Sequence, residues 1–191
     1  MQQLKNRIRE EGRVLPGNII KVDGFLNHRV DTALMRAMAH EFARRFNTDG
    51  LTAVLTVEAS GIALGAICAE QLDVPLVFAK KAKSDNVEGG LYQSEIFSYT
   101  YKKKMTLLVS RQWLTSRDKV LIIDDFLANG EALRGLVEIV GQAGAELMGI
   151  GVAIEKGFLG GGDMLREKGV HLESLAIIES ADENGIVFRE S

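Results

Sequence analysis

The sequence is poor in cysteine, in charge of one sign and in long apolar runs. Its single cysteine, Cys68, excludes an internal disulfide framework and a CxxC zinc site, and it fits a reducing cytosol. The 23 basic and 26 acidic side chains give a net charge of −3, which argues against binding to nucleic acid or to an anionic membrane. No apolar run approaches the roughly 18 residues that span a bilayer, and the charged start MQQLKNRIREEG lacks the apolar region of a signal peptide. We therefore expect a cytoplasmic protein.

What the sequence does contain is a regular alternation of apolar strands and amphipathic helices. With 191 residues, 46% of them apolar and 26% charged, the chain has the composition of one globular domain over residues 1–191. The strands Leu51–Val57 and Leu76–Ala79 enclose a helix over Ile62–Leu72, which is a βαβ unit and predicts a parallel sheet. The fold class is therefore α/β, with a mostly parallel central sheet flanked by helices. Residues of about 81–104 are polar and predict a hairpin or flap that projects from the sheet, either as a lid or as a dimer arm.

The run from Val120 to Ala132 is the most informative part of the sequence. Four apolar residues predict a buried parallel strand, the carboxylates of Asp124 and Asp125 follow it, and Asn129-Gly130 opens a helix. Ligands of open α/β sheets bind outside the carboxyl ends of the strands, where a helix N-terminus offers unpaired N–H groups to an anion. The segment therefore suits a ligand that joins a phosphate to a hydroxyl-rich part, such as a ribose 5-phosphate. The simpler alternative is an acidic pair that only solvates the end of a strand.

A second strand-to-helix turn lies at Thr56 to Ile62. Small residues at Ala59, Ser60 and Gly61 allow a ligand to approach the backbone closely, although a tight turn alone also explains them. Two phosphate-suited turns on neighbouring strand ends favour a ligand that is phosphorylated at both ends. Other nucleotide motifs fail, because no GxxxxGK[ST] run occurs and the GxG at Gly149 lacks the third glycine of a dinucleotide fingerprint.

These segments together resemble the type I phosphoribosyltransferases. The run from Val120 to Ala132 resembles the motif with which that family binds phosphoribosyl pyrophosphate (PRPP), and the Glu-Ala-Ser-Gly turn followed by Val77–Lys81 resembles its pyrophosphate loop. The N-terminal segment, the segment Lys21–His28 and the segment Ile154–Phe158 resemble the members that use xanthine. The resemblance covers nearly the whole chain, and it implies that family's fold with a small N-terminal hood formed by about residues 1–30.

The resemblance also assigns a role to each candidate residue. Asp124 and Asp125 are the expected catalytic residues, which hold the ribose hydroxyls and stabilise positive charge on the anomeric carbon. The expected PRPP-binding residues are Ala128, Asn129, Gly130, Glu131 and Ala132 around the 5-phosphate, and Ala59, Ser60, Gly61 and Lys80 or Lys81 around the pyrophosphate. The expected purine-binding residues are Ile20, Asn27, Lys156 and Phe158, the last by stacking on the base. Mg²⁺ is expected to accompany the pyrophosphate, with no ligand predicted from the protein side chains.

The reaction implied by the resemblance is transfer of phosphoribosyl from PRPP to xanthine in purine salvage, by a homodimer. Many relatives have Thr or Ser where this chain has Asn129 and Ala132, so phosphate binding depends more on backbone N–H groups, and the role of Glu131 stays open. Guanine, hypoxanthine or adenine is the alternative base. A PRPP-sensing regulator without catalysis is the alternative class, but one fold occupies the whole chain and no basic helix is present.

Overall fold

The computed structural model describes residues 1–82, 90–98, 103–182 and 185–190. The helices are α1 (Gln2–Glu11), α2 (Thr32–Arg45), α3 (Gly61–Gln71), α4 (Glu131–Ala143) and α5 (Gly161–Glu167), and a 3₁₀ turn covers Gly157–Leu159. The strands are β1 (Arg13–Leu15), β2 (Ile19–Lys21), β3 (Ala53–Val57), β4 (Leu76–Ala82), β5 (Leu91–Ser98), β6 (Lys103–Ser110), β7 (Lys119–Leu127), β8 (Glu146–Lys156), β9 (Leu172–Asp182) and β10 (Gly185–Phe188).

The core of the molecule is one twisted sheet with helices on both faces. Eight strands lie in the order β10-β9-β8-β7-β3-β4-β6-β5. The strands β9, β8, β7, β3 and β4 are parallel, and β10, β6 and β5 add antiparallel pairs at the edges. Buried apolar residues of α2 and α3 pack on one face, and those of α4 and α5 pack on the other. The prediction of a mostly parallel α/β sheet flanked by helices is therefore confirmed.

The N-terminal segment forms α1 and a separate two-stranded sheet of β1 and β2. Leu4 and Ile8 lie one helical turn apart on α1, and both are fully buried against the core. Asp31 caps α2, because its carboxylate accepts hydrogen bonds of 3.1 Å from the N–H groups of Ala33 and Leu34. Those backbone bonds, followed by the bond from Arg7, lower the pKa of Asp31. Within the residues that the structure describes, no helix is long and apolar enough to cross a membrane.

Strand β7 is longer than the sequence pattern predicts, so the predicted end of this strand was wrong. The pattern ends the strand at Ile123, whereas the structure continues it to Leu127, so Asp124 and Asp125 lie within the strand. The pairing of β7 with β3 has ended at Ile122, but the ladder with β8 continues to Leu127. The backbone of the acidic pair is therefore held by the sheet on one side, and its other side is left open.

The structure describes part of the predicted flap. There β5 pairs with β6 and β6 pairs with β4, so the hairpin of β5 and β6 continues one edge of the main sheet. The hairpin also packs against α4 where Gly135 has no side chain, since a Cβ there would lie 2.7 Å from the Cγ2 of Ile96. Residues 83–89 and 99–102 of the predicted flap lie outside the described residues, so its function as a lid stays a prediction.

Candidate active site

The candidate site lies at the point where the strand order of the sheet reverses. Strand β3 has β4 on one side and β7 on the other, and helices α3 and α4 begin in the turns that follow β3 and β7. Ligands of open α/β sheets bind at such a reversal, outside the carboxyl ends of the strands. The two turns in which the sequence predicts phosphate binding therefore open into one region of the molecule.

The carboxylate of Asp125 joins three parts of the chain. Ser60 in the turn after β3 donates its hydroxyl to Oδ1 at 2.9 Å, and Asn27 of the N-terminal segment donates its amide to Oδ2 at 3.1 Å. Only 4% of Asp125 is exposed, so these bonds hold its carboxylate in one orientation. One predicted catalytic residue, one predicted pyrophosphate-binding residue and one predicted purine-binding residue are thus in direct contact.

Asp124 has a different environment from its neighbour. It is 3% exposed, and its Oδ1 accepts a hydrogen bond of 3.0 Å from the N–H of Asp125. Burial, together with the nearby charge of Asp125, raises the pKa of Asp124 well above its ordinary value. The first residue of α3, Gly61, packs here, since a Cβ on it would lie 2.2 Å from Thr56 Oγ1 and 2.6 Å from Asp124 Oδ1. This close packing requires glycine at position 61.

Because its pKa is raised in the folded state, Asp124 lowers the stability of the fold at neutral pH, and a neutral side chain in its place removes that cost. Below the unfolded pKa of about 3.9 both states hold the proton, and above it the folded state must keep a proton or bury a charge. We expect Asp124→Asn to raise the free energy of unfolding at neutral pH, with the difference vanishing as the pH falls to about 3. Denaturant unfolding at several pH values measures this. The exposed Asp49→Asn is the control, and an equal change in both variants would contradict the explanation.

The turn after β7 forms the second half of the site. Gly130 has a φ of 83° and caps the N-terminus of α4, so the left-handed conformation there favours glycine. A pocket of about 190 Å³ opens at this helix end. Its lining residues are Lys81, Ile96, Phe97, Phe126, Leu127, Ala128, Asn129, Gly130, Glu131, Ala132 and Leu133. The pocket combines a helix N-terminus, a cation and a partly apolar wall, which suits a phosphate attached to a sugar.

The structure answers the question that the sequence leaves open about Glu131. Its carboxylate accepts the N–H of Phe97 in β5 at 3.2 Å and pairs with Arg134 at 3.2 Å. The bond from Arg134 lowers the pKa of Glu131. Arg134 also donates to the carbonyl oxygen of Glu95 at 2.7 Å. Glu131 therefore attaches the hairpin to the first turn of α4, and binding of a phosphate by the backbone N–H groups stays a prediction.

The two candidate lysines of β4 do not lie in the same place. Lys81 lines the pocket beside Asn129 and Gly130, whereas Lys80 lines a separate groove with Phe78 and Trp113. Successive side chains of a strand point to opposite faces, which accounts for the difference. The N–H of Lys81 also donates to Glu58 at 2.6 Å, next to the turn with Ala59. Of the pair that the sequence leaves open, Lys81 is therefore the one at the site.

The predicted purine-binding residues lie on the other side of the acidic pair. Lys156 ends β8, and its Nζ lies 3.4 Å from the carbonyl oxygen of Asn18 and 5.9 Å from the ring centre of Phe126. Burial lowers the pKa of Lys156. Ile20 is 6% exposed, and Phe158 in the 3₁₀ turn packs against the core, so its stacking on a base stays a prediction. Phe126 adjoins both Asp125 and the phosphate turn and lines the pocket, but the sequence pattern places it after the predicted strand and gives it no role.

Among the residues that the structure describes, no group of three or more His, Cys, Asp or Glu side chains is placed to hold a metal ion. Both oxygens of Asp125 already accept hydrogen bonds from Ser60 and Asn27. Mg²⁺ commonly keeps several waters and binds through substrate phosphates with only one or two carboxylates, so this arrangement fits a magnesium ion that arrives with the ligand.

Comparison with known proteins identifies the class to which this fold and site belong. A model of the phosphoribosyl transferase domain matches residues 28–161, a range that holds both turns and the acidic pair. The chain belongs to the phosphoribosyltransferase family, as the resemblance implied, and the match shows an enzyme of this type.

Individual relatives narrow this class further. A xanthine phosphoribosyltransferase of Lachnoclostridium phytofermentans is 51% identical over 191 residues, with 99% of this chain and 98% of that protein covered. One of Bifidobacterium animalis subsp. lactis is 53% identical over 183 residues, with 95% of each chain covered. Among solved structures, the adenine phosphoribosyltransferase of Giardia lamblia in complex with 9-deazaadenine has a TM-score of 0.77 at 25% identity, and covers 93% of this chain and 98% of its own.

Proposed function

We propose that this protein transfers the 5-phosphoribosyl group of PRPP to xanthine, giving xanthosine 5'-monophosphate and pyrophosphate in purine salvage. The observation that carries the proposal is the contact of Asp125 with Ser60 and Asn27, since it joins the acidic pair to both neighbouring subsites. Relatives that are about half identical over nearly the full chain and carry the name xanthine phosphoribosyltransferase support the choice of base.

We assign the parts of the substrate to three groups of residues. The backbone of Ala128 to Ala132 at the start of α4 binds the 5-phosphate, and Lys81 with the turn Ala59 to Gly61 binds the pyrophosphate. The acidic pair holds the ribose between them. The carboxylate of Asp125 contacts Ser60 of the first turn and Asn27 of the N-terminal segment, so we assign the anomeric carbon to its neighbourhood.

The reaction builds positive charge on the sugar ring as pyrophosphate leaves and a purine nitrogen attacks. A carboxylate fixed by two hydrogen bonds is already oriented toward that charge. Such preorganised groups typically lower the activation free energy by about 2.7–4 kcal/mol. Mg²⁺, which we propose binds with the pyrophosphate, neutralises the leaving anion when present. The apolar wall of Ile96, Phe97 and Phe126 limits the access of water to the sugar.

Recognition of the base depends on donors that face carbonyl oxygens. Xanthine differs from hypoxanthine by a carbonyl at C2, and a lysine has only donors to offer. Lys156 lies at the carboxyl end of β8 with its amino group over Phe126, so we assign to it a hydrogen bond to a xanthine carbonyl. A buried donor without its partner is costly, and a base that lacks the carbonyl is therefore disfavoured.

Incubation of the protein with PRPP, Mg²⁺ and each of adenine, guanine, hypoxanthine and xanthine tests the proposal. We expect xanthosine monophosphate to form with the highest kcat/KM. Product from adenine alone would contradict the choice of base, and binding of PRPP without any product would favour a regulator. The proposal also includes a cytoplasmic homodimer, and light scattering that reports only a monomer of 20.9 kDa would contradict that part.

A further inference from the structure

Glu155 is a fully buried charge that the proposed mechanism does not use. It lies next to the end of β8 with 0% of its surface exposed. Arg166 of α5 donates to both of its carboxylate oxygens, at 2.9 Å and 2.7 Å, and Ser174 of β9 donates its hydroxyl to Oε2. The carboxylate is thus held by a bidentate ion pair with Arg166 and by a hydrogen bond from Ser174.

Two glycines at the start of α5 lie between this ion pair and the phosphate-binding turn. A Cβ on Gly162 would lie 2.0 Å from Oε1 of Glu155. A Cβ on Gly161 would lie 2.2 Å from the carbonyl oxygen of Ala128 and 2.7 Å from the backbone nitrogen of Gly130. The first residues of α5 therefore contact Glu155 on one side and the backbone of the phosphate-binding turn on the other.

Glu155 is also covalently next to the purine side of the site. Lys156 is the following residue, and successive side chains of a strand point to opposite faces of the sheet. While Glu155 is directed inward to Arg166, the amino group of Lys156 reaches Asn18 and Phe126. An ion pair at Glu155 therefore adjoins the phosphate subsite through Gly161 and the purine subsite through Lys156.

Stability alone is a weak reason for a buried ion pair. Removing two charges from water is expensive, and well-packed apolar residues are often as stable or more stable in the same place. A two-pronged bond between guanidinium and carboxylate, however, fixes direction as well as distance. Such a bond holds the segment from Lys156 to Gly162 in one orientation, whereas apolar packing is not directional and restrains the orientation less.

We propose that Glu155 is a positioning residue, which through Arg166 holds the start of α5 against the phosphate-binding turn and holds Lys156 toward the purine. It touches neither substrate. The inference rests on the proposed function for the identity of the two subsites. It also gives Gly161 and Gly162 a role, because both must lack a side chain where α5 packs against the turn and against Glu155.

The first test removes the charges one at a time and together. We expect Glu155→Gln to raise the KM for both PRPP and xanthine about tenfold, with kcat changed much less, because a misplacement of about 1 Å can cost about 10²-fold and Ser174 still restrains the side chain. In the double variant Glu155→Gln/Arg166→Met no charge is left unpaired, so we expect the melting temperature to recover while both KM values stay raised. A purely structural role predicts that KM follows the melting temperature. A folded Glu155→Gln variant with both KM values within twofold of the parent would overturn the proposal.

The second test does not depend on the folding of those variants. Gly161→Ala forces the backbone of the phosphate-binding turn to shift, whereas Gly141→Ala on the exposed face of α4 meets no atom within 4 Å. We expect calorimetric titration with PRPP to give a dissociation constant about tenfold higher for Gly161→Ala and unchanged for Gly141→Ala. Equal constants for the two variants would overturn the proposed contact between α5 and the turn.

The readouts separate this inference from the proposed function. If the parent binds PRPP but forms no nucleotide, the proposed reaction fails and the ratio of PRPP dissociation constants still decides the inference. If the parent forms xanthosine monophosphate and the variants match it, the inference alone fails. A parent that binds no PRPP would overturn both.

Discussion

Replacement of Asp125 by Asn is expected to leave the fold intact and to lower kcat about 10²–10³-fold. Asn has the shape of Asp, and its side-chain oxygen can still accept the hydroxyl of Ser60. Its new NH2 group can donate to the amide oxygen of Asn27 once the Asn27 amide rotates, so both contacts persist. What is lost is the negative charge that faces the developing cation on the sugar. Steady-state kinetics with PRPP and xanthine, together with a thermal melt, measure the two effects separately.

A matched control for this variant is available on the surface. Asp73 lies in an exposed turn with a φ of 53°, a left-handed conformation that Asn also tolerates, and Asp73→Asn is expected to leave kcat unchanged. A near-normal kcat for Asp125→Asn would show that the carboxylate does not stabilise the transition state. A loss of kcat that accompanies a collapsed melting temperature would indicate a structural role instead.

Replacement of Lys156 by Met is expected to lower kcat/KM for xanthine roughly 10–100-fold and to leave the KM for PRPP nearly unchanged. Hydrogen bonds from charged groups contribute about 1.5–3 kcal/mol, and about 1.4 kcal/mol corresponds to a factor of ten. Met preserves the volume of the side chain over Phe126, so the packing is retained and only the donor is removed. Initial rates at varied xanthine concentration give kcat/KM for the variant and for the parent.

The same measurement with hypoxanthine identifies the carbonyl that Lys156 contacts. If the donor faces C2, the preference for xanthine over hypoxanthine falls by the same factor, and if it faces C6 both bases lose equally. The exposed Lys168→Met serves as the control for loss of a positive charge. A xanthine kcat/KM within twofold of the parent would remove Lys156 from the recognition of the base.

Much of the site is encoded locally and was therefore predicted from single segments. An apolar run followed by Asp124-Asp125 and Asn129-Gly130 predicts a buried strand and then the start of a helix. The strand and the helix start can both be predicted because each depends on residues close together in the chain. The cap of α2 is local as well, because Asp31 accepts from the N–H groups of Ala33 and Leu34, two and three residues further along the chain. Gly61 was predicted to let a ligand approach the backbone, and its close packing against Thr56 and Asp124 was not predicted.

Contacts between distant segments were beyond such patterns. Nothing in the sequence around Glu131 indicates that its carboxylate binds the N–H of Phe97, because that bond forms only when the hairpin packs on α4. The length of β7 depends likewise on its partner β8, and the separation of Lys80 from Lys81 depends on which face of β4 is inward. Phe126 was overlooked because the predicted strand ended at Ile123, and only the pairing with β8 shows that β7 continues through Phe126 to the pocket.

The sequence by itself determined the α/β order of elements, the two phosphate-suited turns and the acidic pair between them, since periodicity, turn glycines and helix caps act within a few residues. Only the tertiary structure decided that Asp125 is held by Ser60 and Asn27, that Asp124 is buried enough to raise its pKa, and that Glu155 lies behind the phosphate-binding turn. Burial and hydrogen-bond partners depend on which surfaces meet when the chain folds. They are set by packing between segments far apart in the sequence, which no local pattern records.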